Sequence, residues 1–244
     1  MRLSTIIISA ALIFSICLFL PNVARAQSGP PAAAQPQTIV WRFDQLDSIG
    51  DHPATVVGHP HLVDSPYGKA VEFNGVDDAL FVDAHPLAGA SAFTWEVIFR
   101  PDADGPPAQR FFHLQEVDPN TGQDTRNRML FEIRIVNDQW CLDSFATTNG
   151  QARTLLNCQL LHPIGKWYRV TAVYDGKTFS NYVDGELQGS GELQLAPQGP
   201  GRSSIGTRIN KTYFFKGAVL TARMTPRALP PDQFLKMRSA SSMK

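Results

Sequence analysis

Six ionisable side chains stand in short runs that alternate apolar and polar residues, and together they combine hydrogen-bond acceptors with donors: Glu96, His113, Glu132, Arg134, Arg169 and Arg208. Carboxylate, guanidinium and imidazole groups suit a ligand rich in hydroxyls, because each hydroxyl both donates and accepts. Tyr182 or Tyr213 would add an aromatic platform. The plain alternative is a solvent-facing lattice of ion pairs, each contributing little. Other chemistries lack their residues. The chain has no G-x-S-x-G turn, no H-E-x-x-H pair and no phosphate-cradling glycine loop. His59-Pro60-His61 lies in a Pro-rich stretch without a third ligand nearby and reads as a surface loop.

The elements that must position these groups are strands. Phe93 to Arg100, FTWEVIFR, and Phe131 to Ile135, FEIRI, alternate with a period of two, the mark of half-buried strands. With Trp95, Val97 and Phe99 inside, Thr94, Glu96, Ile98 and Arg100 face out. Likewise Glu132 and Arg134 face out opposite Phe131, Ile133 and Ile135. If Phe112 and Leu114 are core, His113 and Gln115 face out. By the same logic Arg169 and Thr171 oppose Val170 and Ala172, and Arg208 shares a face with Ser204 and Gly206. The expectation is one mixed-charge patch of all six across one sheet. Asn74-Gly75, Asp175-Gly176 and Asp184-Gly185 are hairpin signals, and 18 Gly with 18 Pro favour turns. Helical patterning is confined to a short turn around Pro230 to Met237. Many short antiparallel strands with one wet face imply an all-β sandwich.

The 244 residues carry 22 Lys+Arg against 22 Asp+Glu, and no clustered basic run offers a nucleic acid its counter-charges. No nucleic-acid partner is expected. Arg2, the apolar stretch Ile6 to Leu20 broken only by Ser9 and Ser15, and Ala24-Arg25-Ala26 read as a signal peptide over residues 1–26. That apolar stretch is short for a bilayer crossing, which needs about 20 residues. The expectation is a secreted or periplasmic protein with no membrane span after cleavage. Residues 27–37, QSGPPAAAQPQ, read as a Pro/Ala-rich spacer, 38–237 as one domain and 238–244 as a flexible tail. Removing Cys17 with the leader leaves Cys141 and Cys158, which in an oxidising compartment predicts a disulfide.

Four blocks in order carry more than this generic pattern: Gly68 to Asp78, GKAVEFNGVDD; Phe93 to Pro101, FTWEVIFRP; Trp167 to Gly185, WYRVTAVYDGKTFSNYVDG; and Ser204 to Leu229. Their succession resembles the laminin-G-like jelly roll of the concanavalin A-like lectin and glucanase superfamily, over about 190 residues. The resemblance implies a two-sheet antiparallel jelly-roll sandwich, one sheet having a concave outer surface. It does not fix function. Many relatives read roughly G-L-I-D-E-V-R where this chain has Gly217-Ala218-Val219-Leu220-Thr221-Ala222-Arg223, so the acidic pair that would support calcium is missing. Asp77 and Asp78 read as a turn pair, and no cofactor is expected. Jelly-roll glucanases carry an E-x-D-x-E-like strand, which is absent here. Jelly-roll alginate lyases use R-x-E-L-R with Q-I-H and a Tyr, whereas Arg128, Glu132 and Arg134 give R-x-x-x-E-x-R with His113 on another strand. The expected function is therefore non-catalytic binding of a glycan or a cell-surface protein. The alternatives are a polysaccharide lyase or hydrolase using Glu132, His113 and Arg134, and a protein adhesion module.

Overall fold

The computed structural model describes residues 37–237. The expected leader, the spacer apart from Gln37, and residues 238–244 lie outside the described residues. Seventeen strands follow in order: β1 (Ile39–Arg42), β2 (Ser48–Ile49), β3 (His52–Val57), β4 (His61–Ser65), β5 (Gly68–Asn74), β6 (Ala79–Val82), β7 (Phe93–Pro101), β8 (Ala108–Val117) and β9 (Asp124–Val136). They continue as β10 (Gln139–Thr148), β11 (Gln151–Leu156), β12 (His162–Pro163), β13 (Tyr168–Tyr174), β14 (Thr178–Val183), β15 (Glu186–Glu192), β16 (Gly201–Ile205) and β17 (Lys216–Thr225). No described helix is long and apolar enough to cross a membrane.

All pairings are antiparallel, and they build two sheets. The back sheet has eight strands in the order β15-β14-β13-β7-β17-β5-β4, with β1 also on β17. The front sheet has nine, β11-β10-β9-β8-β16-β6-β3-β2, with β12 on β10. The expected sandwich is thus present. Its filling is aromatic: Phe99 of the back sheet stacks on Phe111 of the front at 4.3 Å between centroids, and Trp95 meets Phe131 at 4.2 Å. Such pairs add stabilisation beyond the area they bury.

The outer face of β7 departs from the expected alternation. Thr94, Glu96 and Ile98 are as buried as Trp95 and Val97. The cause is the segment after β17, which returns across this face and buries Leu229 and Phe234. Thr94 Oγ1 donates to the Arg227 carbonyl (2.9 Å) and accepts the Leu229 N–H (2.8 Å). The helical turn expected around Pro230 to Met237 shrinks to a 3-10 turn at Pro231–Gln233, because Phe234 leaves it in extended conformation to follow the sheet.

Residues 74–78 form a turn as expected, but not the hairpin that Asn74-Gly75 signals: β5 lies in the back sheet and β6 in the front, so the chain crosses between sheets here. Asn74 Oδ1 accepts the N–H groups of Val76, Asp77 and Asp78, while the buried Asp78 carboxylate accepts those of His59 (2.6 Å) and Asn74 (3.0 Å). These oxygens hold backbone. His61 opens β4 and faces Glu72 at 3.2 Å. Among the described residues no cluster of three or more His, Cys, Asp or Glu could hold a metal ion.

Cys141 and Cys158 are joined, with their Cα atoms 5.1 Å apart, tying β10 to the turn that precedes β12. Closing a loop of this length stabilises by about 3 kcal/mol in the chain-entropy model. A double Cys→Ser variant should lose about that much, read as a lower urea midpoint.

Candidate functional site

The six sequence-predicted residues divide between two surfaces, so the single patch does not exist. Glu96 lies on β7 and Arg169 on β13, both in the back sheet under the C-terminal segment. Glu96 accepts Arg223 Nε and the Leu235 N–H, each at 2.5 Å, and Arg169 Nη1 donates to the Leu235 carbonyl. Tyr182 packs on Phe234 at 5.2 Å in the same place and offers no platform to the other sheet. These side chains fasten a strap. His113, Glu132, Arg134 and Arg208 belong to the front-sheet side.

There an open cavity of about 210 Å³ is lined by Arg110, Arg128, Glu132, Arg134, Asp143 and Arg208, with apolar contributions from Leu130 and Phe145. Its charged floor is assembled by strand register. β8 sets Arg110 opposite Glu132, and β10 sets Asp143 opposite Glu132 from the other side. Arg110 Nε stands 2.9 Å from Glu132 Oε1; Arg134 Nη2 lies 3.2 Å from Glu132 Oε2 and 2.6 Å from Asp143 Oδ2. Arg134 therefore bridges two carboxylates. Glu132 is only 6% exposed and Asp143 1%, so these charges are held largely out of water. Burial raises the Glu132 pKa and the Asp143 charge adds to the effect, while Arg110 and Arg134 oppose it.

The floor is incompletely satisfied. Arg110 Nη1, Arg128 Nε and Asp143 Oδ1 are buried without a hydrogen-bond partner. Groups of this kind are costly to leave unmet.

One wall is the loop between β16 and β17. Gly206 opens it at φ +83°, and a Cβ there would stand 2.4 Å from the Phe73 ring, so only glycine allows the chain to turn over the core at this point. The Lys211 N–H closes a tight turn onto the Arg208 carbonyl (2.8 Å), and Arg208 N–H bonds Thr212 O (3.2 Å). Tyr213 follows at φ +62°, an unusual backbone state for a bulky residue, costing about 1–3 kcal/mol. It is held there by the Arg110 N–H on its carbonyl (2.9 Å) and by the Arg110 guanidinium 3.8 Å from its ring centroid. Its ring is half exposed beside the groove.

The same loop seals His113. The Ile209 N–H donates to His113 Nδ1 (2.9 Å), which leaves the neutral ring's proton on a buried, unpartnered Nε2. Burial, followed by the charges of Arg208 and Arg128, pushes this imidazole down to about 3. At neutral pH it is an uncharged structural group with no exposed face, which counts against the lyase-like role for His113.

Sequence reasoning missed Arg110 and Asp143. Asp143 was within reach, because Trp140 and Leu142 point inward and alternation then turns Cys141, Asp143 and Phe145 outward. Arg110 was not. A bulge between Arg110 and Phe112 lets Phe111 and Phe112 both enter the core, and counting by twos from Phe112 puts Arg110 on the wrong side.

Solved structures share this architecture. The chain resembles domain 4 of AbnA, a GH43 extracellular arabinanase from Geobacillus stearothermophilus solved in complex with arabinotriose, with a TM-score of 0.59 and 18% identity over 81% of this chain and 96% of that one. It also resembles the binding domain of Paraclostridial Mosquitocidal Protein 1 (TM-score 0.58, 12% identity, 81% and 50% covered). A third likeness is to the native heptameric SAP-like pentraxin from Limulus polyphemus (TM-score 0.51, 17% identity, 67% and 78% covered). At these identities the likeness is one of fold. No curated protein matches the chain. The Laminin_G_3 family model, described as concanavalin A-like lectin/glucanases superfamily, matches residues 74–233, and the chain belongs to that family.

Proposed function

We propose that this is an exported, non-catalytic carbohydrate-recognition module that binds a glycan chain in the front-sheet groove. The observation carrying the reading is the open groove itself, whose lining of guanidinium and carboxylate groups supplies the donors and acceptors that sugar hydroxyls need. Tyr213 supports it, since a ring maintained in a costly backbone state beside the groove is positioned to stack on a pyranose face. The arabinotriose complex of the AbnA domain supports it as a sugar-bound relative of the same fold. Two features favour binding over turnover. Glu132 and Asp143 share Arg134, and His113 is sealed by Ile209. The disulfide is compatible with export to an oxidising compartment.

A polysaccharide and glycan-array screen with product release monitored tests this. The expected result is saturable binding without new reducing or unsaturated ends; product formation would make the protein an enzyme, and no binding to any glycan would overturn the reading. Tyr213→Asn should weaken binding roughly three- to tenfold through loss of stacking. The same variant should melt no lower than the parent, because asparagine tolerates the left-handed backbone. A lower melting temperature with unchanged affinity would assign Tyr213 to structure instead.

A further inference from the structure

The groove holds four guanidiniums, of Arg110, Arg128, Arg134 and Arg208, against two carboxylates. Both carboxylates are already engaged. Glu132 lies against Arg110 and Arg134, and Asp143 against Arg134. Among the described residues, neither Arg128 nor Arg208 has a carboxylate within ion-pair distance. Arg128 donates from Nη1 to the Arg126 carbonyl (3.0 Å), its Nε is buried and unpartnered, and the Phe145 ring 5.0 Å away fixes its guanidinium. Burial, with the charge of Arg208 next in size, lowers its pKa. The neutral His113 beside them supplies no compensating charge. A folded surface thus holds two like charges together in a partly desolvated groove.

We infer that Arg128 and Arg208 form an anion-receiving subsite, so that the ligand is an acidic polysaccharide carrying a uronate carboxylate or a sulfate ester. The inference rests on the glycan reading above and specifies its ligand. An anionic group between the two guanidiniums turns their repulsion into charge-assisted hydrogen bonds, and its oxygens match the planar N–H fork of arginine. A neutral hydroxyl accepts a hydrogen bond but leaves the repulsion in place. Glu132 and Asp143, taken up by Arg110 and Arg134, leave the other two guanidiniums to the anion.

Matched polymers test it on the full-length protein: polygalacturonate against its carboxyl-reduced form, and dextran sulfate against dextran, each by titration calorimetry at low and moderate salt. The acidic member of at least one pair should bind about ten- to hundredfold tighter than its neutral match, the range expected of charged hydrogen bonds. That preference should shrink as salt rises. Which pair responds identifies carboxylate or sulfate as the source. Arg208→Gln should abolish the preference while leaving the melting temperature unchanged or higher, since one of two repelling charges is gone; Arg208→Lys should restore part of it. Equal binding of acidic and neutral forms would overturn the anion subsite and leave glycan binding standing; no binding to any of the four polymers would also overturn the anion subsite, and the glycan array then decides whether the wider reading stands. Polyglutamate binding as tightly as the acidic polysaccharides would also overturn it, by showing charge attraction without sugar recognition.

Discussion

Glu96→Ala should cost about 3–5 kcal/mol of folding stability, the usual penalty for removing one partner of a buried ion pair. The Glu96 side chain is fully buried, and its two oxygens receive Arg223 Nε and the Leu235 N–H. Alanine leaves both donors without an acceptor at the centre of the strap. At about 2–4 °C per kcal/mol for a domain of this size, the melting temperature should fall by roughly 10 °C. Glu96→Gln retains an oxygen for the Leu235 N–H and should lose less. A urea-midpoint change corresponding to less than about 1 kcal/mol for the alanine variant would mean that the strap is not fastened there. Glycan affinity should be little changed, since Glu96 lies on the sheet opposite the groove.

Acidification below about pH 6.5 should destabilise the protein because of His113. The unfolded chain takes up a proton on this residue near the ordinary 6.5, whereas the folded chain holds it neutral down to about 3. Between those values the unfolded state binds more protons, so stability is complete above 6.5 and falls as pH drops. The slope approaches about 1.4 kcal/mol per pH unit, and the accumulated loss by pH 3 is about 5 kcal/mol. His85, buried against Gln198 with a lowered pKa, acts in the same direction. Urea unfolding at pH 7, 6, 5 and 4 measures the slope. His113→Asn, which keeps an acceptor for the Ile209 N–H, should flatten it; identical slopes in both proteins would refute the assignment.

These two residues also mark where sequence reading stopped. Strand periodicity, turn dipeptides and the ordered blocks made the sandwich legible, and Cys141 with Cys158 gave the disulfide. The inward set Trp95, Val97 and Phe99 followed from alternation. Alternation tells which side of its own strand a residue occupies, but not which sheet the strand joins. Glu96 and Glu132 therefore looked equivalent, although they lie on opposite sheets. It is equally blind to what later covers an outward face. The strap over Glu96 and the loop over His113 are long-range packing events that leave no local signature. At Arg110 the obstacle was a single extra residue that shifts the period.

Strand β17 holds a central place in the back sheet, paired along its length with β7 and sharing its other edge between β5 and β1. Ile39 thereby faces Met224. A ribosome or translocation channel delivers the N-terminal strands long before this partner arrives, and until then the back sheet lacks its middle. Assembly is consequently non-local and of high contact order, the regime in which folding takes milliseconds to seconds. Nascent chains should remain accessible to holding chaperones until about residue 225 has emerged, then close in one cooperative step.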